Sequence, residues 1–226
     1  MNALHLDILS PPQRRLWDEL GGVPAHFTLY GGTAIALFLG HRDSVDFDFF
    51  GSEHFNPQQL YLAVPFLRGA KIIQQSPNTL TCLVEREGVV QVSFFGLPDI
   101  HVIQKPLQIR DNGIRIASLI DLAGMKAAVV QQRAEAKDYV DLYALMTQDA
   151  VDLPTALAAA GRIYPDSFNP QLTLKALTYF GDGNLPTLPE AVKLKLVEAV
   201  RAVDLDHLPD LERNMRDNGR EKRREE

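Results

Sequence analysis

The chain has 226 residues, 46% hydrophobic and 23% charged, and its net charge of −6 argues against a general nucleic-acid coat protein, which would be basic. Its single cysteine, Cys82, excludes an internal disulfide framework and points to the reducing cytoplasm. No basic-then-apolar leader opens the sequence, and no apolar run approaches the roughly 18–20 residues that span a bilayer, so neither secretion nor a membrane is expected.

Ser10 before Pro11-Pro12 predicts a helix over 12–20 with Ser10 as its N-cap, stopped by Gly21-Gly22 and Pro24. Residues 26–30 read as a short strand, Gly31-Gly32-Thr33 as a tight turn, and the apolar 34–39 as a buried helix closed by Gly40. Residues 45–50 alternate with period two and predict a strand. A helix is expected over 57–67 and strands over 71–75, 80–85 and 89–95. Glu85-Arg86-Glu87-Gly88 fits a hairpin between the last two. A small ribbon, 107–110 with 114–116, should fold around Asp111-Asn112-Gly113.

Beyond Ser118 only helices are expected, over 119–132, 136–147, 154–164, 171–179 and 189–203. Strands first and helices afterwards predict an α+β protein. The expected organisation is a core over 1–117, a helical region over 118–212 packed on it, and a charged tail over 213–226. That tail carries six basic and four acidic residues, and reads as a solvated end or, less simply, an RNA-gripping one.

The densest chemistry lies in 30–50. Residues two apart on a strand share a face, so Asp46 and Asp48 project together while Val45, Phe47 and Phe49 point to the other side. Two neighbouring carboxylates repel unless protonated, separated or neutralised. A hard divalent ion, Mg²⁺ or Mn²⁺, neutralises them through oxygen ligands. Gly31 and Gly32 allow close backbone approach, the helix after them directs free N–H groups outward, and Thr33 adds a hydroxyl. A phosphate nest beside a metal-binding acid pair suits phosphoryl or nucleotidyl transfer. Each half alone is common on solvated strands and ordinary turns; the ordered combination is what carries the reading.

A Gly-Gly turn followed about a dozen residues later by Asp-x-Asp resembles the nucleotidyltransferase superfamily that includes DNA polymerase beta. The fuller wording, from Gly31-Gly32-Thr33 through His41-Arg42-Asp43-Ser44 to Asp46-Phe47-Asp48, is similar to the AbiEii/AbiGii toxin family of nucleotidyltransferases, over roughly 29–145. The resemblance implies a mixed sheet of the nucleotidyltransferase fold flanked by helices, and a nucleoside triphosphate as substrate. It also implies an RNA (tRNA) or protein acceptor, a cognate antitoxin, and a role in toxin–antitoxin or phage-defence pairs.

The second motif spans 122–145. Lys126 sits inside a helix that is apolar nearly all round and needs a partner or an opening. If the helix is continuous, Lys126, Arg133 and Lys137 fall on one face at steps of seven and eleven residues. They then form either a basic line for the triphosphate or acceptor, or a snorkelling lysine beside an ordinary Lys137–Asp141 pair. Tyr139, Leu142, Tyr143 and Met146 make an apolar stripe opposite. The toxin family's later motifs resemble Lys-x6-Arg and Lys-Asp-x-x-Asp, which match Lys126 with Arg133, and Lys137 with Asp138 and Asp141. One departure stands out. The superfamily often carries a third carboxylate on a later strand, and here Ser93 occupies that place. Either two carboxylates suffice, with Asp138 or Asp141 as substitute, or the domain is degenerate and only binds. A phosphatase Asp-x-Asp motif fits less well, since Phe50 stands where Thr or Val belongs.

Overall fold

A computed structural model describes residues 4–98, 100–148 and 150–211. The charged tail of the sequence reading lies outside them. The described chain falls into two compact units divided after Ser118, with His101–Ile103 counted with the second.

The first unit is built on a seven-stranded mixed sheet. Its strands are β1 (Phe27–Tyr30), β2 (Asp46–Gly51), β3 (Lys71–Ser76), β4 (Thr79–Glu85), β5 (Val89–Gly96), β6 (Leu107–Gln108) and β7 (Arg115–Ile116), in the order β3-β4-β5-β2-β1-β7-β6. Hairpins account for the antiparallel pairs β3–β4 and β4–β5. The centre is different: β2 runs antiparallel to β1 and parallel to β5. One face is apolar and sealed. Phe27, Phe47, Phe49 and Phe94 are at most 2% exposed, and Trp17 sits 6.3 Å from Phe47 ring to ring. Each buried aromatic of this kind contributes about 1.5–3 kcal/mol relative to exposure. That seal fixes which residues of β2 point the other way.

Helix α1 (Pro11–Trp17) starts as expected, with the Gln13 side chain accepting from the Ser10 N–H at 3.1 Å, but it tightens into a 3₁₀ turn from Asp18 to Gly22. Helix α2 (Gly31–Leu39) begins directly at the end of β1, so the two glycines are its first residues and not a separate turn. Helix α3 (Pro57–Ala63) stops earlier than expected. Pro65 forces Val64 into an extended conformation, and a 3₁₀ turn completes the stretch. Val45 lies before β2 and is 64% exposed, so it does not share the buried face with Phe47.

The second unit is helical: α4 (Leu119–Val129), α5 (Ala136–Thr147), α6 (Leu153–Ile163), α7 (Pro170–Ala176) and α8 (Glu190–Arg201). Its core gathers Tyr139, Leu142, Leu157, Leu177 and Leu196, with Tyr143 and Met146 packed against it, so the apolar stripe of α5 faces inward. Helix α4 ends at Val129, before the expected limit of 132. No glycine or proline signals that end. It is held by side chains instead: Thr173 Oγ1 donates to the Ala127 carbonyl at 2.7 Å, and Gln131 Nε2 donates to Thr173 Oγ1 at 2.7 Å. No helix of the described residues is long and apolar enough to cross a membrane.

Candidate active site

In the first unit the site grows out of the β1–α2 junction and β2. Along β2 the exposure alternates: Asp46, Asp48 and Phe50 are half-buried, while Phe47 and Phe49 are fully buried. Asp46 and Asp48 therefore share the face opposite the aromatic seal, as the period-two pattern requires. Tyr30, the last residue of β1, lies in register with Asp48. The next residue, Gly31, has φ +75, and a Cβ there would stand 2.9 Å from Asp48 Oδ2. Only glycine lets the backbone pass this close to that carboxylate in a left-handed conformation. The acid pair and the first turn of α2 are thus immediate neighbours. That turn has N–H groups without intrahelical acceptors and the positive end of the helix dipole.

Thr33 is placed differently from the phosphate contact expected of it. It is 2% exposed, and its hydroxyl hydrogen-bonds Ser44 Oγ at 2.7 Å and donates to the Asp46 carbonyl. It ties the helix to the strand that carries the acids.

Across the parallel β2–β5 ladder, Asp48 is in register with Ser93 and Asp46 with Gln91. Beyond Ser93 comes Thr81 on β4. The row beside the acids is therefore neutral, and Ser93 does occupy the place next to Asp48. Among the described residues, no group of three or more His, Cys, Asp or Glu side chains could hold a metal ion together. Two oxygen donors remain, half-open, hard and adjacent. That donor chemistry fits Mg²⁺ or Mn²⁺ sharing its other positions with phosphate and water.

In the second unit the remaining candidates converge at the start of α5, though not as a basic line. Because α4 and α5 are separate helices, Lys137 leaves the face of Lys126; it is half-exposed and pairs with Glu135 at 3.0 Å. Lys126 is 7% exposed, with its ammonium 2.5 Å from Asp138 Oδ1 and 2.8 Å from Asp141 Oδ2. Asp141 thus pairs with Lys126. Arg133 donates to Asp138 through Nε at 2.8 Å and Nη2 at 3.1 Å. Burial pushes the Asp138 carboxyl up, but the Arg133 hydrogen bonds and the Lys126 charge outweigh it and hold it below its ordinary value. Lys126, Asp138 and Asp141 are buried, where removing one partner costs about 3–5 kcal/mol, while Arg133 joins them from the exposed side. All four residues belong to the second motif, but the sequence put Lys137 and not Lys126 beside Asp141, because the pairing depends on where α4 ends.

Comparison with known proteins bears on the family and the fold. A family model described as "Nucleotidyl transferase AbiEii toxin, Type IV TA system" matches residues 15–221. An uncharacterized protein of Aquifex aeolicus (strain VF5) is 32% identical over 163 residues, 71% of this chain and 77% of that one. The nucleotidyltransferase toxin MenT4 of Mycobacterium tuberculosis superposes with a TM-score of 0.53 over 86% of this chain and 83% of that one, at 17% identity; it shares the fold. An antigenic nucleotidyltransferase-like protein of Paracoccidioides brasiliensis gives 0.49 over 83% and 89%, also at 17% identity.

Proposed function

Because the chain belongs to the AbiEii family of nucleotidyl transferase toxins of type IV toxin–antitoxin systems, we propose that it moves a nucleoside monophosphate from a nucleoside triphosphate to an RNA, specifically a tRNA, or to a protein. The observation that carries this is the Asp46–Asp48 pair on one face of β2, with Asp48 Oδ2 against Gly31. Asp46 and Asp48 would hold a divalent cation, which when bound offsets triphosphate charge and polarises the phosphorus. The first-turn amides of α2, from Gly31 and Gly32, bind phosphate oxygens. Thr33 keeps that turn at a fixed distance from Asp46 through its bond to the Asp46 carbonyl.

In the transfer an acceptor hydroxyl bonds to the α-phosphorus, the bond to pyrophosphate breaks, and the hydroxyl proton leaves. Ser93 has no carboxylate to take it, so the proton passes to an acid of the pair or to water. In the same reading Lys126, Arg133 and Lys137 are cations that serve phosphate binding; Asp138 and Asp141 hold Lys126, Asp138 also holds Arg133, and Lys137 pairs with Glu135. The family's later motifs support this, as does the gathering of four of these residues at the start of α5. Family membership also supports a cognate antitoxin as partner and phage defence as a setting. The lone buried cysteine fits the cytoplasm.

The test is transfer of label from each of the four nucleoside triphosphates to total RNA or to cell protein, in Mg²⁺. Wild type should label one acceptor class, and Asp46→Ala and Asp48→Ala should not. Equal inertness of wild type and both variants, with equally harmless expression, would overturn the reading. A neutral Ser93 beside Asp48 favours one competing account, a fold that binds nucleotide without turnover. Calorimetry separates the two, since that account requires Mg²⁺-dependent triphosphate binding in a wild type that labels nothing.

A further inference from the structure

The helical unit contains a cleft of about 330 Å³, of which the reading above uses Arg133 alone. It lies at the lower end of the roughly 300–1,000 Å³ common for small-ligand sites. One wall is the turn after α4, which brings Arg133; the other is α7 and the residues that follow it, which bring Leu172, Lys175, Tyr179 and Asp182. Leu172 and Tyr179 are 51% and 58% exposed, so two large side chains with apolar surface stand open at the cleft. Tyr139 is also part of the lining. It is 2% exposed, and its hydroxyl donates to the Ala176 carbonyl at 3.3 Å. Burial, with the charges of Asp138 and Asp182, pushes that phenol up to about 12, so it stays a neutral donor.

Arg133 enters the cleft with its guanidinium fork already oriented by Asp138. Lys175 is exposed and has no ion-pair partner among the described residues. An open aromatic ring beside an oriented guanidinium and an exposed lysine suits a ligand with a flat ring system and an anionic group. Asp182 on the same cleft opposes a large negative charge, which disfavours a triphosphate and permits a monoester or diester.

We propose that this cleft binds one nucleoside monophosphate unit, either free or as the terminal nucleotide of a single RNA strand. The base lies on Tyr179 and Leu172, and the phosphate meets Arg133 and Lys175. The cleft shares Arg133 with the triphosphate reading, so the test uses Lys175 and Tyr179, and it is run where that reading is silent.

The full chain carrying Asp46→Ala and Asp48→Ala is titrated in EDTA with adenosine monophosphate, adenosine triphosphate, inorganic phosphate and a short single-stranded RNA. Saturable binding of the monophosphate or the RNA is expected, tighter than that of the triphosphate and of phosphate alone. Tyr179→Ala should weaken it about tenfold, the loss of one stacked base. Lys175→Glu should weaken it at least as much, with unchanged melting curves for both exposed positions. Binding of the monophosphate alone identifies a free nucleotide, and binding of the RNA alone identifies a strand end. No binding of either, binding indifferent to both substitutions, or phosphate binding as tightly as the monophosphate would overturn the proposal. Failure of label transfer in the wild type would leave these titrations unaffected.

Discussion

Gly31 and Asp48 form the narrowest contact of the candidate site, and each can be changed alone. Gly31→Ala places a methyl 2.9 Å from Asp48 Oδ2 at φ +75. The left-handed backbone costs about 1–2 kcal/mol, and the carboxylate must move. Transfer should therefore fall much further than stability; a variant of full activity would contradict the geometry. Asp48→Ala should lower the rate at least about a hundredfold, since even outer groups around a metal are worth 10–100-fold. Lys126 separates two roles by stability. Lys126→Met leaves Asp138 and Asp141 buried and facing each other, at about 3–5 kcal/mol. Adding Asp138→Asn and Asp141→Asn should restore much of that loss in a denaturant titration. No loss in the single variant would mean the cluster does not hold α4 to α5.

Asp138 also sets an acid limit. Its folded value is depressed, so its contribution is complete above the unfolded value, about 3.9, and is lost as pH falls through the lower folded value. Asp138→Asn should flatten that acid limb in thermal melts between pH 2 and 5. The acids of β2 were legible in the sequence because period two is a strong local signal. The partners of Lys126 were not, because they sit 12 and 15 residues away on another helix.

Helices α4 and α6 meet at small residues. A Cβ on Gly124 would stand 2.8 Å from Ala159 Cβ and 2.9 Å from the Ala160 backbone nitrogen. Backbone atoms cannot rotate aside, so Gly124→Val must push the helices apart. The helix-propensity gain over glycine is under about 1 kcal/mol, and overpacking costs about 1–3 kcal/mol. The melting temperature should drop by several degrees, and an unchanged or higher value would contradict this crossing. At this scale the sequence showed most of the elements. Asp111-Asn112-Gly113 announced the β6–β7 ribbon, and the alternation of Val90, Val92 and Phe94 announced β5. Pro65 was a readable breaker that the periodic pattern of 57–67 concealed. The end of α4 had no glycine or proline signal, since Thr173, which bonds the Ala127 carbonyl and accepts from Gln131, imposes it from afar. Strand order was equally hidden, because the parallel β2–β5 pairing joins segments 45 residues apart.

For the whole molecule, the family followed from one ordered motif, Gly31-Gly32-Thr33 to Asp46-x-Asp48, and the α+β class from strands that precede helices, more than from composition. The net charge of −6 limits loose polyanion binding and favours an acceptor held at defined places. Cys82 is buried, and burial pushes its thiol up to about 11, so it offers no reactive thiolate at neutral pH. Activity should thus resist mild alkylation while being lost in EDTA and restored by Mn²⁺. Crystals soaked with Mn²⁺ and a non-hydrolysable triphosphate give the most direct measurement. An anomalous peak touching both Asp46 and Asp48, with phosphate oxygens on the Gly31 and Gly32 amides, is the predicted result. Manganese or triphosphate bound elsewhere, with those two carboxylates untouched, would contradict it.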